Sequence, residues 1–128
     1  MIELGGRMGG DNITTHLVPL STGIDMVGST IKIALGEEPD IKPMLHCGSA
    51  IRYFEVPFGT IKAIKNVEDA QCVPGVKQIT FTKSVGEEST PIQCSNDRIG
   101  FVIAQGATAE DAAKACEEAM RIINVVIG

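Results

Sequence analysis

Apolar and polar positions along the chain fall into two zones. In the first, "STGIDMVGSTIKIALGEE" carries Ile24, Val27, Ile31 and Leu35 at helical spacing, and Gly36 suits the left-handed residue that closes a helix. Met26 and Ile33 add apolar surface off that stripe, which predicts a helix apolar on more than one side and well buried. Ahead of it, "ITTHLVPL" predicts a short helix. Asp11 or Asn12 would cap it by accepting from free backbone N–H groups, and Pro19, late in it, would limit its length. "MIEL" reads as the end of a strand and "GGRMGGDN" as a glycine-rich turn. The acidic, proline-bearing "EEPDIKP" predicts a linker, and a domain boundary there gives segments 1–40 and 41–128.

The second zone is richer in strands. "GSAIRYFEV", ended by Pro57, and "GTIKAIKNV" are two candidates, and "VEDAQCV" is a short helix or turn. In "PGVKQITFTKSV", Ile79 and Phe81 share a face against Gln78, Thr80 and Thr82. "GEESTPIQCSND" predicts a long polar loop. "RIGFVIAQG" is apolar on both faces, which predicts a central strand. The last element is a helix over 108–125. Thr108 is its cap, Glu110 and Asp111 sit in its first turn, and Ala112, Ala113, Cys116, Ala119, Met120 and Ile123 form one stripe. The small residues of that stripe predict a close approach of helix to sheet. The expected fold class is α+β: a short helical N-terminal segment, then a mostly antiparallel sheet of about four strands packed by the C-terminal helix.

Composition narrows the function classes. A length of 128 residues with 44% hydrophobic and 21% charged residues suits a globular chain with a real core. A net charge of −5 argues against a nucleic-acid partner, since phosphate neutralisation needs clustered Lys and Arg. Four Phe, one Tyr and no Trp leave little for base or sugar stacking. No run of 18 apolar residues predicts a membrane span, and the N-terminus lacks the pattern of a secretory signal. Cys47, Cys72, Cys94 and Cys116 are widely spaced, without a CxxC or zinc-type Cys/His pairing, and His46–Cys47 is isolated. They read as buried or incidental thiols of a reducing cytoplasm, and a cytoplasmic location is expected.

One stretch carries chemistry. In "IELGGRMGGD", Glu3, Gly5 and Arg7 alternate, so on an extended chain they would share one face. A carboxylate is a hard ligand for Mg²⁺, a guanidinium pairs with phosphoryl oxygens, and glycine lets backbone N–H groups approach an anion. A magnesium–phosphate site and a plain surface Glu–Arg pair beside a turn both fit this pattern. His16 reads as a packed or capping histidine, Arg98 as structural at the start of a strand, and the acidic "EEPD" as a solvated face.

The wider chain adds a resemblance. "IELGGRMGGDNITTHLVPLSTGIDMVGSTIKIALGE" resembles the last catalytic stretch of ATP-grasp ligases. "GSAIRYFEVPFGTIKAI", "VPGVKQITFTKSVGEE" and "DRIGFVIAQGATAEDAAKACEEAMRII" resemble the small C-terminal domain that follows it, as in L-amino-acid-ligase, carbamoyl-phosphate-synthase-like and biotin-carboxylase-like members. In that family a strand bears Glu-x-Asn-x-Arg. The resemblance implies a metal-ligand role for Glu3 and a catalytic, phosphoryl-steadying role for Arg7. It places Gly5 where Asn is expected, and Gly9 and Gly10 in the loop whose N–H groups face the bound carboxylate.

The resemblance further implies a parent that is a Mg-ATP-dependent carboxylate–amine or carboxylate–thiol ligase working through an acyl phosphate. This chain would be its C-terminal third, with residues 1–40 ending the catalytic domain and 41–128 forming the small C-terminal domain. Mg²⁺ and ATP would serve the full-length parent and bind this chain alone only weakly. Its partners would be the upstream ATP-grasp domains and a small carboxylate substrate. The isolated chain is expected to be inactive and to pair as a homodimer. The alternative is a stand-alone, non-catalytic docking or self-association module derived from the same family.

Overall fold

The computed structural model describes residues 5–128. The strand expected over "MIEL" lies outside the described residues. The chain divides into two compact units, Met1–Cys47 and Gly48–Gly128.

In the first unit a loop leads into a wide helical turn, Ile13–Leu17, and then α1, Val18–Thr22. The Leu17 N–H reaches back five residues to the Asn12 carbonyl, at 3.0 Å. Pro19 stands in the first turn of α1, where a missing N–H is tolerated. It therefore opens a helical segment instead of limiting one. The expected side-chain cap is not made by Asn12. Asp11 and Asn12 have φ of 51° and 61°, whereas a capping side chain needs an extended backbone to reach the next turn.

Gly23, at φ 77°, ends α1, and Asp25 then caps α2, Met26–Ala34, by accepting from the Gly28 N–H at 2.8 Å. Gly36 closes α2 as expected. At φ 77° it donates to Ile33, while Glu37 donates to Lys32, so two terminal carbonyls are satisfied. The predicted burial of this helix is corrected, since Ile31, Ile33 and Leu35 are 56%, 60% and 70% exposed. Among the described residues of this unit only Thr14 and Ser29 are buried. Beyond α2, the N–H groups of Met44 and Leu45 bond to the Thr22 carbonyl and that of Cys47 to the Ser21 carbonyl. These bonds tie the segment after the acidic stretch to the first unit, so the division falls at Cys47/Gly48.

The second unit holds the hydrophobic core. Its strands are β1 (Gly48–Tyr53), β2 (Gly59–Lys65), β3 (Val76–Phe81), β4 (Glu88–Ser89), β5 (Gly100–Gly106) and β6 (Asn124–Ile127). Its helices are α3 (Val67–Gln71) and α4 (Ala109–Ile122). The fold class is α+β with antiparallel pairing, but the strands form two three-stranded sheets, ordered β1-β5-β3 and β4-β2-β6, in place of one. β5 is central in the first sheet, as its apolar faces require. Val102 and Ala104 point into the core beneath α4, and Ile103 is fully buried as well.

The β4-β2-β6 sheet forms from segments whose sequence predicts the end of a helix and a polar loop. The β-branched run after Ile123 leaves α4 and pairs with β2, and two residues of the polar loop pair with its other edge. α4 opens on a reciprocal capping box. The Asp111 N–H donates to the Thr108 hydroxyl, and the Asp111 carboxylate accepts from the Thr108 N–H. Its small-residue face buries Ala112, Cys116 and Ala119. The approach is close enough that a Cβ on Gly48 would stand 2.0 Å from the backbone of Thr108. Phe81 stacks on Phe54 with ring centroids 4.8 Å apart and adds an aromatic pair to this core.

Candidate functional site

The glycine turn is built from local bonds. The Thr14 hydroxyl, on a buried residue, donates to the Gly9 carbonyl at 3.0 Å, and the Ile13 N–H donates to the Gly10 carbonyl at 2.9 Å. A Cβ on Gly9 would touch Ile13 and Thr14, whereas one on Gly10 would meet open space. The turn is thus pinned from its following helical segment, and Thr14 does the pinning. In the sequence Thr14 is marked only by a hydroxyl four residues after the Gly9–Gly10 doublet.

Arg7 is exposed, and its Nη1 donates to the Met8 carbonyl at 3.0 Å. A guanidinium carries five N–H donors, so this bond leaves capacity for an anion. Gly6 and Arg7 form a bend. The extended alternation expected through Glu3, Gly5 and Arg7 therefore does not run through Arg7, because a glycine doublet lets the chain turn there. Glu3 lies outside the described residues. Arg7, Gly9 and Gly10 stay together in one exposed loop. The His16 Nδ1 lies 2.8 Å from the Thr15 hydroxyl. Among the described residues no three carboxylate, imidazole or thiolate groups converge as a metal site. The described part of the turn therefore does not by itself fit a metal ion, which would need Glu3 and further ligands.

Elsewhere in the first unit Asp25, Ser29, Lys32, Asp40 and Lys42 line a pocket of about 190 Å³. Its charges come from both sides of the acidic stretch, which reads in sequence only as a solvated face. In the second unit Arg98 lies over the Tyr53 ring, 3.9 Å from its centroid, in keeping with the structural role expected for it. The four cysteines are free. Cys116 is buried, and desolvation pushes its thiol up to about 11, so it is an inert core group at neutral pH. No helix among the described residues is long and apolar enough to cross a membrane.

Comparison with known proteins agrees with this architecture. Residues 52–128 match the family model for L-amino acid ligase C-terminal domain 2. The protein y4rH of Sinorhizobium fredii is 29% identical over 128 residues, covering 97% of this chain and 26% of y4rH. Phosphoribosylglycinamide synthetase from Anaerococcus prevotii superposes with a TM-score of 0.79 at 23% identity, over 96% of this chain and 32% of its own. L-amino acid ligase from Bacillus licheniformis superposes with a TM-score of 0.76 at 21% identity, over 97% of this chain and 31% of its own. The chain spans about a quarter to a third of the length of these relatives. With more than half of its residues matched by that family model and its fold shared with two solved ligases, the chain belongs to the L-amino acid ligase C-terminal domain 2 family and is an ATP-grasp ligase C-terminal domain.

Proposed function

We propose that the chain works as the C-terminal part of an ATP-grasp ligase that joins a carboxylate to an amine or thiol through an acyl phosphate. The observation that carries this reading is the superposition of nearly the whole chain, both units included, on two solved ligases. Residues 1–40 end the catalytic domain in this reading, and 41–128 form the small C-terminal domain. Arg7 offers its guanidinium to phosphoryl oxygens and so offsets charge as the phosphoryl group transfers. Gly9 and Gly10 present backbone N–H groups to a small carboxylate or to ATP, from a turn held in place by Thr14. Glu3 would be a magnesium ligand, and magnesium, when bound, neutralises phosphate charge. The family setting favours a cytoplasmic ligase.

The test begins with the genomic DNA upstream of Met1. An in-frame continuation is expressed together with this segment and assayed for ADP release against a panel of carboxylates and amines. Release that needs both, and that falls roughly 100-fold or more in Arg7→Ala without loss of thermal stability, is the expected result. No carboxylate-dependent ATP turnover across the panel would overturn the reading. Pure 128-residue protein is expected to show none, because one edge of a phosphate site cannot position both reactants. The exposed apolar side chains of α2 favour a second reading, a non-catalytic docking module. A stop codon with a ribosome-binding site directly upstream would support it.

A further inference from the structure

Three consecutive carbonyls of the glycine turn are engaged from within the chain. Arg7 Nη1 donates to the Met8 carbonyl at 3.0 Å, the Thr14 hydroxyl to the Gly9 carbonyl at 3.0 Å, and the Ile13 N–H to the Gly10 carbonyl at 2.9 Å. Thr14 departs from the usual pattern. A hydroxyl inside a helical segment ordinarily bonds the carbonyl four residues back, as Thr22 does to Val18 at 2.8 Å and Thr30 to Met26 at 2.7 Å. For Thr14 that carbonyl belongs to Gly10, and the Ile13 N–H already holds it. Thr14 instead reaches five residues back and out of its own turn. Its place is fixed by burial, since it is 5% exposed in a unit where Ser29 is the one other buried residue among those described.

A peptide unit is planar and trans, so its carbonyl and the N–H that follows point in opposite directions. No cis peptide occurs among the described residues. Holding the Gly9 carbonyl toward the helical segment therefore turns the Gly10 N–H away from that segment. Left unheld, this plane would rotate readily: neither Gly9 nor Gly10 has a Cβ to restrict it, and a Cβ on Gly10 would meet open space. We infer that Thr14 is a positioning residue, whose hydroxyl fixes the Gly9–Gly10 peptide plane so that the Gly10 N–H is presented to an anionic oxygen of the bound carboxylate or phosphoryl group. The identity of that anion rests on the ligase reading; the orientation of the peptide does not. The hydroxyl carries the role and the methyl group only fills the buried place. Ser at this position keeps the hydrogen bond, and Val, of nearly the same shape, removes it.

Two measurements separate this orientation from the ligase reading. In the 128-residue chain, NMR relaxation of the Gly10 amide reports the peptide plane directly. An order parameter of about 0.85 is expected for the wild type and for Thr14→Ser, and one below about 0.6 for Thr14→Val, with unchanged circular dichroism. In the ligase expressed from the in-frame continuation, KM is measured separately for the carboxylate and for MgATP. Thr14→Val is expected to raise one of them about tenfold, the worth of a hydrogen bond to a charged group, and to leave the other in place. Thr14→Ser is expected to restore it. The KM that rises names the source of the anion. A merely structural loss would lower the active fraction, and so kcat, with both KM values unchanged. If Thr14→Val loses its folded spectrum, Thr14→Ala, which cannot overfill the site, replaces it in both measurements. A Gly10 amide as rigid in Thr14→Val as in the wild type would overturn the inference, as would one already mobile in the wild type or wild-type KM values in an active variant. Absence of carboxylate-dependent ADP release from the wild type counts against the ligase reading alone, and the relaxation measurement then decides the role of Thr14.

Discussion

At the scale of single residues, close packing is decided where backbone meets backbone. Gly48 opens β1 directly against the residue that caps α4, and a methyl group there would overlap the carbonyl carbon and oxygen of Thr108. Neither strand nor helix start can yield without moving the core, since Ala50 and Ala112 are buried beside them. Gly48→Ala is therefore expected to destabilise the second unit by roughly 2–3 kcal/mol, the range of overpacked cores. Urea unfolding followed by circular dichroism checks it, and a loss below about 0.5 kcal/mol would mean that β1 slides freely against α4. This glycine is silent in the sequence, where it only begins an apolar run. The candidate site residues differ: Arg7, Gly9 and Gly10 are legible through the resemblance to ATP-grasp ligases, since residue type and spacing fit a plain surface pair beside a turn equally. Thr14, which pins their turn, is not, because its role depends on where its hydroxyl lands.

At the scale of elements, the ends of helices carry most of the local information. Thr108 and Asp111 form a reciprocal box, and the Thr108 hydroxyl also donates to the Asp111 carboxylate at 2.8 Å. Thr108→Ala removes the hydroxyl side of that box and is expected to cost about 1 kcal/mol, with Thr108→Ser recovering most of it. Thermal unfolding of the three proteins makes the comparison. Equal midpoints for Ala and Thr would show that the helix dipole and core contacts hold the start of α4 without the hydroxyl. The cap was readable from the sequence, as was the glycine stop of α2. The opposite end of α4 was not. The residues after Ile123 continue an apolar run compatible with helix or strand, and only the free edge of β2 makes them a strand.

At the scale of the whole molecule, apolar burial is unevenly shared. Among the described residues the buried hydrophobic ones all belong to the second unit, while Ile31, Ile33, Leu35, Ile41 and Met44 of the first are each more than half exposed. Exposed apolar patches seek partners, and two-fold pairing is the commonest solution. The purified chain is proposed to self-associate through its first unit, as a dimer. Light scattering over a range of concentrations is expected to show a mass that rises toward twice 13.5 kDa. The double change Ile31→Asp with Leu35→Lys is expected to return it to a monomer with unchanged circular dichroism. A monomer at every concentration, with residues 5–36 resistant to protease, would show that this segment needs no partner.

The sequence by itself determined the elements whose signals are local. The period of α4, its cap, the doubly apolar β5 and the glycine punctuation of the first unit all depend on neighbours within a few residues, and each appears at its expected place. It also carried the family, since stretches such as "DRIGFVIAQGATAEDAAKACEEAMRII" resemble the C-terminal domain of ATP-grasp ligases. Tertiary structure alone decided what depends on distant partners. It set the split of six strands into two sheets, the passage of "NVVIG" from helix into β6 and the exposure of α2. Apolar periodicity states which side chains leave water; the surface available to receive them is assembled only when remote segments meet.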